Sequence, residues 1–339
     1  MAILKVDTIS GIGTEGPVFE GEIEFTSQNF LTLPKGNTEE RGRGTRAVFG
    51  NGSSNVLDFV NIQNTANAVD FGDALGTYGA GAACSSRTRG IIFVGFDSPT
   101  QVNIIEFITF STTGNAQDFG DLTQGRRNLT GFSNQTRGIA AGGSIQSPAE
   151  VLNIIDFITI ASAGNATDFG DLTDRTGQAG RGNANSTTRA IIALAGNDGT
   201  SNVLDFVTIA TRGDAEEFGS LRSYRNGEPC LTSNSIRGIA AGGSNGSTTQ
   251  DDITFITIAT KGDGTDFGNL SNRCNQLAGA SSATRAVFCG NLAPAGGIGN
   301  VMEFVTIAST GNATDFGDLT NKRAQVGGCN SNSHGGLAQ

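Results

Sequence analysis

Six acidic residues, each followed by phenylalanine and glycine, are the side chains of this sequence whose type and spacing most suggest chemistry. They are Asp70, Asp118, Asp168, Glu217, Asp266 and Asp315. Carboxylates can bind Ca²⁺, and two facing carboxylates can hydrolyse a glycosidic bond. The triplets recur at nearly constant intervals, however, and other acids such as Asp121, Asp171 and Asp318 also occupy repeated positions. Because residues duplicated in this way usually serve the architecture, we expect no catalytic residue, cofactor or metal site. Calcium at GNATDFGD and a glycosidase pair remain less favoured alternatives.

Nucleophilic and metal chemistry have few candidate residues. The chain has one histidine, His334, and five cysteines without a CxxC pair. The cysteines are Cys84, Cys230, Cys274, Cys289 and Cys329. A zinc site requires clustered Cys and His, and a Ser-His-Asp triad would depend on His334, which falls at a repeated arginine position. The magnesium-binding DFG triplet of protein kinases acts with a glycine-rich loop, a strand lysine and an HRD loop, which are missing here. We therefore expect buried, reduced thiols and no enzyme.

Six repeated arginines each open an apolar run that closes on glycine. They are Arg46, Arg89, Arg137, Arg189, Arg237 and Arg285. One hypothesis makes them a basic ring that binds an anion in a central channel. The other pairs each arginine with an acid or a carbonyl of its own or the next repeat. Partly buried arginine is usually paired, which favours the second hypothesis.

The elements that position these residues follow from the repeat itself. In each unit an acidic residue, or once a threonine, precedes a second phenylalanine, and the interval from this phenylalanine to the triplet phenylalanine is the same in all six units, as from Phe157 to Phe169. The interval from the arginine to the second phenylalanine varies between units. Runs such as IIDFITI are rich in β-branched and aromatic residues, which predicts strands covered on both faces. Units of about 49 residues with about four short strands are typical of a β-propeller.

The repeat pattern of the sequence resembles the kelch repeat family. The resemblance lies in the diglycines Gly142–Gly143 and Gly242–Gly243, the acidic-aromatic strand that follows, and the later aromatic residue before a leucine. It implies an all-β, six-bladed kelch-like β-propeller over residues 41–339, with phenylalanine in place of tryptophan. The His and Tyr ligands of kelch-type copper oxidases are missing, since the chain has one His and two Tyr.

The C-terminal register predicts how the ring closes. His334 follows Phe316 at the same interval at which Arg137 follows Phe119, and it lies inside SNSHGG, which matches the SNQTRG around Arg137. The tail is therefore expected to supply the innermost strand of a blade whose other strands come from the N-terminal side.

Residues 1–40 lack the repeat and are expected to form an extended anchoring arm. The arm, with VDTI and FEGEIEF followed by LTLPKG, resembles N-terminal segments of virion structural proteins from tailed phages, particularly marine ones, which also carry DFGDLT repeats. The resemblance implies a phage virion structural protein, assembled in the host cytoplasm. In it a propeller is displayed on a tail fibre, spike or capsid appendage as part of a multimer. The arm would bind other virion proteins.

The composition of the chain and its variable loops indicate which binding partners are expected. A net charge of −10 argues against nucleic-acid binding, and no apolar run is long enough to span a bilayer. Four variable connections, at 95–103, 142–153, 242–252 and 290–300, are expected on one rim. The alternative function is therefore a glycan-binding, lectin-like propeller that recognises a host-surface carbohydrate through this rim. An enzyme on the particle surface is the third class and the least favoured.

Overall fold

The computed structural model describes residues 46–331 apart from short gaps at 51, 53, 178–180, 183, 196–200, 223–228, 246–247, 293–296 and 324–327. Over these residues the chain is all-β, and its strands form six small sheets arranged as a six-bladed propeller. The predicted fold class is confirmed. The predicted arm, residues 1–40, and His334 lie outside the described residues.

The described strands are short, and most belong to one of the six sheets. In chain order they are β1 (Arg46–Gly50), β2 (Ser54–Asn61), β3 (Val69–Tyr78), β4 (Ala82–Ser85), β5 (Arg89–Phe93), β6 (Phe96–Asp97), β7 (Thr100–Gln101), β8 (Ile104–Thr109), β9 (Gln117–Asp121), β10 (Thr130–Ser133), β11 (Arg137–Ala141), β12 (Ser144–Gln146), β13 (Ala149–Val151), β14 (Ile154–Thr159), β15 (Thr167–Asp171), β16 (Arg181–Gly182), β17 (Ala184–Asn185), β18 (Arg189–Ala193), β19 (Val203–Thr208), β20 (Glu216–Ser220), β21 (Cys230–Ser233), β22 (Arg237–Ala241), β23 (Gln250–Thr257), β24 (Thr265–Cys274), β25 (Ala278–Ser281), β26 (Arg285–Leu292), β27 (Ile298–Thr306), β28 (Thr314–Asp318) and β29 (Gly328–Ser331).

Each blade is an antiparallel sheet whose strands are ordered from the ring axis outward. Blades 1 to 6 have the orders β29-β1-β2-β3, β4-β5-β8-β9, β10-β11-β14-β15, β17-β18-β19-β20, β21-β22-β23-β24 and β25-β26-β27-β28. The innermost strands of neighbouring blades contact one another around the axis. Strand β16 adds to blade 5 by pairing in parallel with β21.

Blade 1 closes the ring because it combines strands from both ends of the described chain. Strand β29 pairs antiparallel with β1, and Ala47 lies opposite Ser331 while Gly50 lies opposite Gly328. The C-terminal strand is thus the innermost strand of the blade that begins at Arg46. This confirms the predicted closure, and the inner edge of β1 is paired.

A separate hydrophobic core fills each of the six described interfaces between blades. Strand β14 shows why: Ile155 and Phe157 pack into the core shared with blade 4, whereas Ile158 and Ile160 pack into the core shared with blade 2. Alternate side chains of a strand point to opposite faces, so one apolar run serves two interfaces. The prediction that these strands are covered on both faces is confirmed.

The ring has two faces with different connections. The hairpin face carries the connections between the second and third strands of each blade, including the β6–β7 and β12–β13 hairpins, the Ser244–Thr249 bridge and the extended β26–β27 pair. The described residues of the four predicted variable connections belong to this face. The opposite turn face carries short turns such as 86–88 and 110–116.

Candidate functional site

The six repeated arginines fasten neighbouring blades at the turn face. Nη1 of Arg137 in blade 3 donates to Ile209 O at 3.1 Å and to Ala210 O at 2.8 Å in blade 4. Its guanidinium carbon also lies 5.0 Å from the centre of the Phe157 ring in its own blade. The other arginines repeat the contact to the next blade, with Arg46 bonded to Phe110, Arg89 to Ile160 and Ala161, Arg189 to Ile258 and Ala259, Arg237 to Ile307 and Ala308, and Arg285 to Ile62 and Gln63. The structure therefore supports pairing with carbonyls and not a basic ring.

The acid-Phe-Gly triplets also join neighbouring blades. The triplet lies in the outermost strand of its blade, at a register shift. Phe169 is buried and meets Phe157 edge to face, with ring centres 6.0 Å apart. Gly170 has a φ of +151°, and a Cβ there would lie 2.5 Å from Gly213 O in the next blade. The acid, Asp168, is exposed, so the triplet serves packing.

A buried ionic network lies under the hairpin face between blades 2 and 3. Asp156 and Arg126 are each at most 1% exposed, and Arg126 Nη1 donates to Asp156 Oδ2 at 2.8 Å. Arg126 Nε donates to Gly142 O at 2.8 Å, and Thr123 Oγ1 donates to Asp156 Oδ1 at 2.7 Å. Bonding on both sides offsets the cost of burying the two charges.

The same network closes the interface between blades 6 and 1. Asp58 accepts hydrogen bonds from Thr320 Oγ1 at 2.6 Å and from Arg323 Nη2 at 2.8 Å. Sequence reasoning missed both networks. A signal was present, because the DFGDLT segments that end at Thr123 and Thr320 are followed at the same distance by an arginine, Arg126 and Arg323.

Between blades 1 and 2 the corresponding carboxyl lacks an arginine. Tyr78 occupies the repeat position of Arg126, and Glu106 is fully buried beside it. Glu106 Oε2 accepts a bond from Leu75 N at 3.3 Å, while Oε1 has no hydrogen-bond partner among the described residues. Burial raises the pKa of Glu106 to about 7, and burial together with the Glu106 charge raises the pKa of Tyr78 to about 12. Such a carboxyl could exchange protons near neutral pH, but it is enclosed by protein.

Hydroxyl groups and a short connecting strand fill the centre of the ring. Ser133 Oγ donates to Ser85 O at 2.8 Å, and Ser281 Oγ donates to Ser233 O at 2.6 Å, linking innermost strands of adjacent blades. These four serines are buried. Strand β16 contacts the innermost strands of blades 2, 3, 5 and 6. Protein therefore occupies the axis at the level of β16.

Four of the five cysteines are free thiols inside the blades, as predicted. Cys84, Cys230, Cys274 and Cys289 are buried. Burial raises the pKa of Cys84 and of Cys274 to about 12, which disfavours the reactive thiolate. Cys329 lies in β29.

Two neighbouring hairpins form a continuous surface on the hairpin face, which we call the hairpin ridge (residues 95–103, 124–128 and 143–152). Gln101 Nε2 of blade 2 donates to Gln146 Oε1 of blade 3 at 3.4 Å. The connection between the blades contacts both hairpins, since a Cβ on Gly125 would lie 3.3 Å from the carbonyl carbon of Val102 and the backbone of Arg127 pairs with that of Ser144.

Arg127 is the non-repeated cation of the hairpin ridge. Its backbone pairs with Ser144 of its own blade, and its guanidinium carbon lies 5.6 Å from the ring centre of Phe96 in blade 2. Among the described residues its guanidinium has no ion pair or hydrogen bond, and its Nε is buried. The equivalent repeat positions hold Gly79, Gly177 and Asn275. Arg127 is thus not required by the repeat, and it is the strongest candidate for binding a ligand.

The remaining site expectations concern metals, membranes and relatives. Within the described ranges, no three or more His, Cys, Asp or Glu residues are grouped so that they could hold a metal ion. The same residues include no helix long and apolar enough to cross a membrane. No protein-family model matches the sequence, and the comparison with curated proteins found no match.

Proposed function

We propose that the chain is a structural protein of a phage virion, a rigid propeller displayed on a tail fibre, spike or capsid appendage and attached to other virion proteins through residues 1–40. The proposal assigns it no enzymatic activity and a place in a multimer on the particle. It rests on the resemblance of the arm and the DFGDLT repeats to virion proteins of tailed phages.

The structural observation that carries the proposal is that the blades of a closed ring are joined by one repeated arginine–carbonyl contact. Each described interface, including that between blades 6 and 1, has the same arginine contact, illustrated by Arg137 and Arg285. Repeated residues are thus used for rigidity, while the connections that vary in length lie on the hairpin face. A rigid ring with variable loops on one face suits a domain displayed on a particle, since those loops can change without disturbing the blades.

Cryo-electron microscopy of phage particles tests the proposal. Particles carrying the full chain should show ring-shaped density at a defined site, and particles carrying a variant without residues 1–40 should lack it. The purified variant should melt at the same temperature as the full chain, which shows that the ring still folds. Ring density that persists without the arm, or that never appears in particles with the full chain, would refute the proposal.

A second candidate function, recognition of a host-surface glycan, is favoured by the hairpin ridge. The ridge places the Phe96 ring, the Arg127 guanidinium and the Gln101 and Gln146 amides on adjacent blades. Aromatic rings and amides are common in saccharide sites, where rings pack on sugars and amides bond to hydroxyls. Binding on a glycan array without product release would support recognition, whereas released product would support an enzyme.

A further inference from the structure

We infer that Arg127 and Phe96 form a binding site for the carboxylate of an acidic saccharide on the hairpin ridge. The inference rests on the second candidate function and specifies its residues and its ligand class. Two neighbouring arginines that the structure describes on the hairpin face are already engaged, Arg126 in an ion pair with Asp156 and Arg175 in an ion pair with Glu150.

The guanidinium of Arg127 has hydrogen-bond donors that no described residue accepts from. A guanidinium carries five N–H donors, and those of Arg127 have no acceptor within the described part of the chain. Nε is buried, but Nη1 and Nη2 are not among the buried unpartnered atoms, so a ligand oxyanion can reach these two groups and supply their acceptors. Carboxylates match the guanidinium fork with two parallel hydrogen bonds, which makes them the anion of choice here.

The position of the guanidinium is also fixed. Phe96 lies beneath it, and the backbones of Phe96 and Arg127 are each held by a bridge, to Gly79 and Ser144 respectively. Both bridges involve the base of a hairpin, so the two side chains start from anchored backbone. Less side-chain freedom remains to be lost when a ligand binds.

The polar groups around Arg127 favour a saccharide as the rest of the ligand. The Gln101 and Gln146 amides meet across the two hairpins at 3.4 Å, a long contact that leaves donors and acceptors for sugar hydroxyls. The exposed Asp97 on the same hairpin disfavours a second negative charge close by. With a net charge of −10, the protein repels polyanions, so the ligand is a saccharide with few acidic groups.

Titration calorimetry with the full-length protein tests the inference. The probes are a galactotriose in which one terminal unit is galacturonate (the acidic probe, with a single carboxylate), the neutral galactotriose, and a galactotriose that carries one sulfate in place of the carboxylate. The acidic probe should bind, and Arg127→Ala should weaken its binding by about tenfold or more, the loss of a charge-assisted pair. Arg127→Lys should recover only part of the affinity, because lysine lacks the planar fork.

Arg175→Ala is the matched control. It removes one positive charge beside the hairpin of blade 3, in the connection that follows β15, but that charge is already paired with Glu150 at 3.4 Å. Binding should change by less than about twofold, as expected for an exposed pair. A similar loss in Arg175→Ala and Arg127→Ala would mean that general charge, and not the site, drives binding, and would overturn the inference.

Further measurements distinguish a folding defect of the Arg127→Ala variant from an incorrect ligand class. Arg127→Ala should melt within about 2 °C of the unaltered protein, and a larger fall would identify Arg127 as a fastener of the hairpins instead. Equal binding of galactotriose and the acidic probe, preference for the sulfated probe, or no binding of the acidic probe at millimolar concentration would each refute the carboxylate site. If another glycan on the array binds while the acidic probe does not, the recognition function stands and only the ligand assignment fails.

Discussion

Arg126→Met tests the energetic role of the buried network between blades 2 and 3. The substitution keeps the length of the side chain but removes the bonds to Asp156 Oδ2 and Gly142 O, both at 2.8 Å. It leaves Asp156, which is 1% exposed, bonded to threonine alone. Breaking one side of a buried ion pair costs about 3–5 kcal/mol. With an unfolding entropy of about 0.6 kcal/mol/K for roughly 290 residues, the melting temperature should fall by about 5–8 °C.

A double-mutant cycle and an exposed pair control this experiment. Calorimetric melts of Arg126→Met, Asp156→Asn and the double variant should give a coupling free energy above about 1.5 kcal/mol, since the two groups share one network. Arg175→Met, which breaks the exposed pair with Glu150, should cost less than about 0.5 kcal/mol. The reasoning is refuted if Arg126→Met costs less than about 1 kcal/mol, or if the single effects simply add.

Three further substitutions examine the blade contacts and the buried carboxyl. Arg137→Ala should lower the free energy of unfolding by about 2–4 kcal/mol through its lost carbonyl and ring contacts, whereas Arg212→Ala, an exposed cation over the same ring, should cost less than about 1 kcal/mol. Gly219→Ala should destabilise the ring in thermal melts, because its Cβ would lie 2.3 Å from the carbonyl oxygen of Gly262, whereas Gly262→Ala should be tolerated because its Cβ meets no atom within 4 Å. The folded pKa of Glu106, about 7, lies above its ordinary 4.5, so the folded state binds the extra proton and loses stability as pH rises between these values. Glu106→Gln should remove about 2 kcal/mol of this loss, after allowance for screening, in urea titrations at pH 4.5 and 8.

Each of these expectations has a contrary result. Equal melting temperatures for Arg137→Ala and the wild type would show that the turn-face contact contributes nothing. Equal tolerance of Gly219→Ala and Gly262→Ala would deny the close approach of the blades. An unchanged pH dependence in Glu106→Gln would mean that this carboxyl does not control stability in that range.

The sequence was sufficient to predict the blades because their contacts are repeated. Phe157 and Phe169 are separated by the same interval as their counterparts in every other unit, and that interval holds the end of one strand, a turn and the start of the next. Their edge-to-face contact follows from that spacing. Closure was also predictable, since the register of the tail around His334 matched the start of a blade.

The remaining contacts could not be predicted from one repeat at a time. Arg126 and its partner Asp156 belong to different units, so their pairing depends on how adjacent blades pack. Tyr78 and Glu106 replace that pair at one interface and show no pattern of their own. Strand β16 has only two residues, too few for any periodic signal. Arg127 was missed because reasoning from repeated positions passes over a residue that occurs once.

The shared blade has a consequence for the order of synthesis. Strand β1 begins at Arg46 and emerges from the ribosome long before its partner at the axis, β29, which begins at Gly328. At about 5–20 residues per second, the inner edge of blade 1 waits roughly 15 to 60 s for that partner. During this interval five blades can form while the first keeps an unpaired edge, which is the kind of edge that recruits other chains. Strand β29, the last of the described strands to be made, therefore ends the period in which the inner edge of β1 is exposed to misassembly.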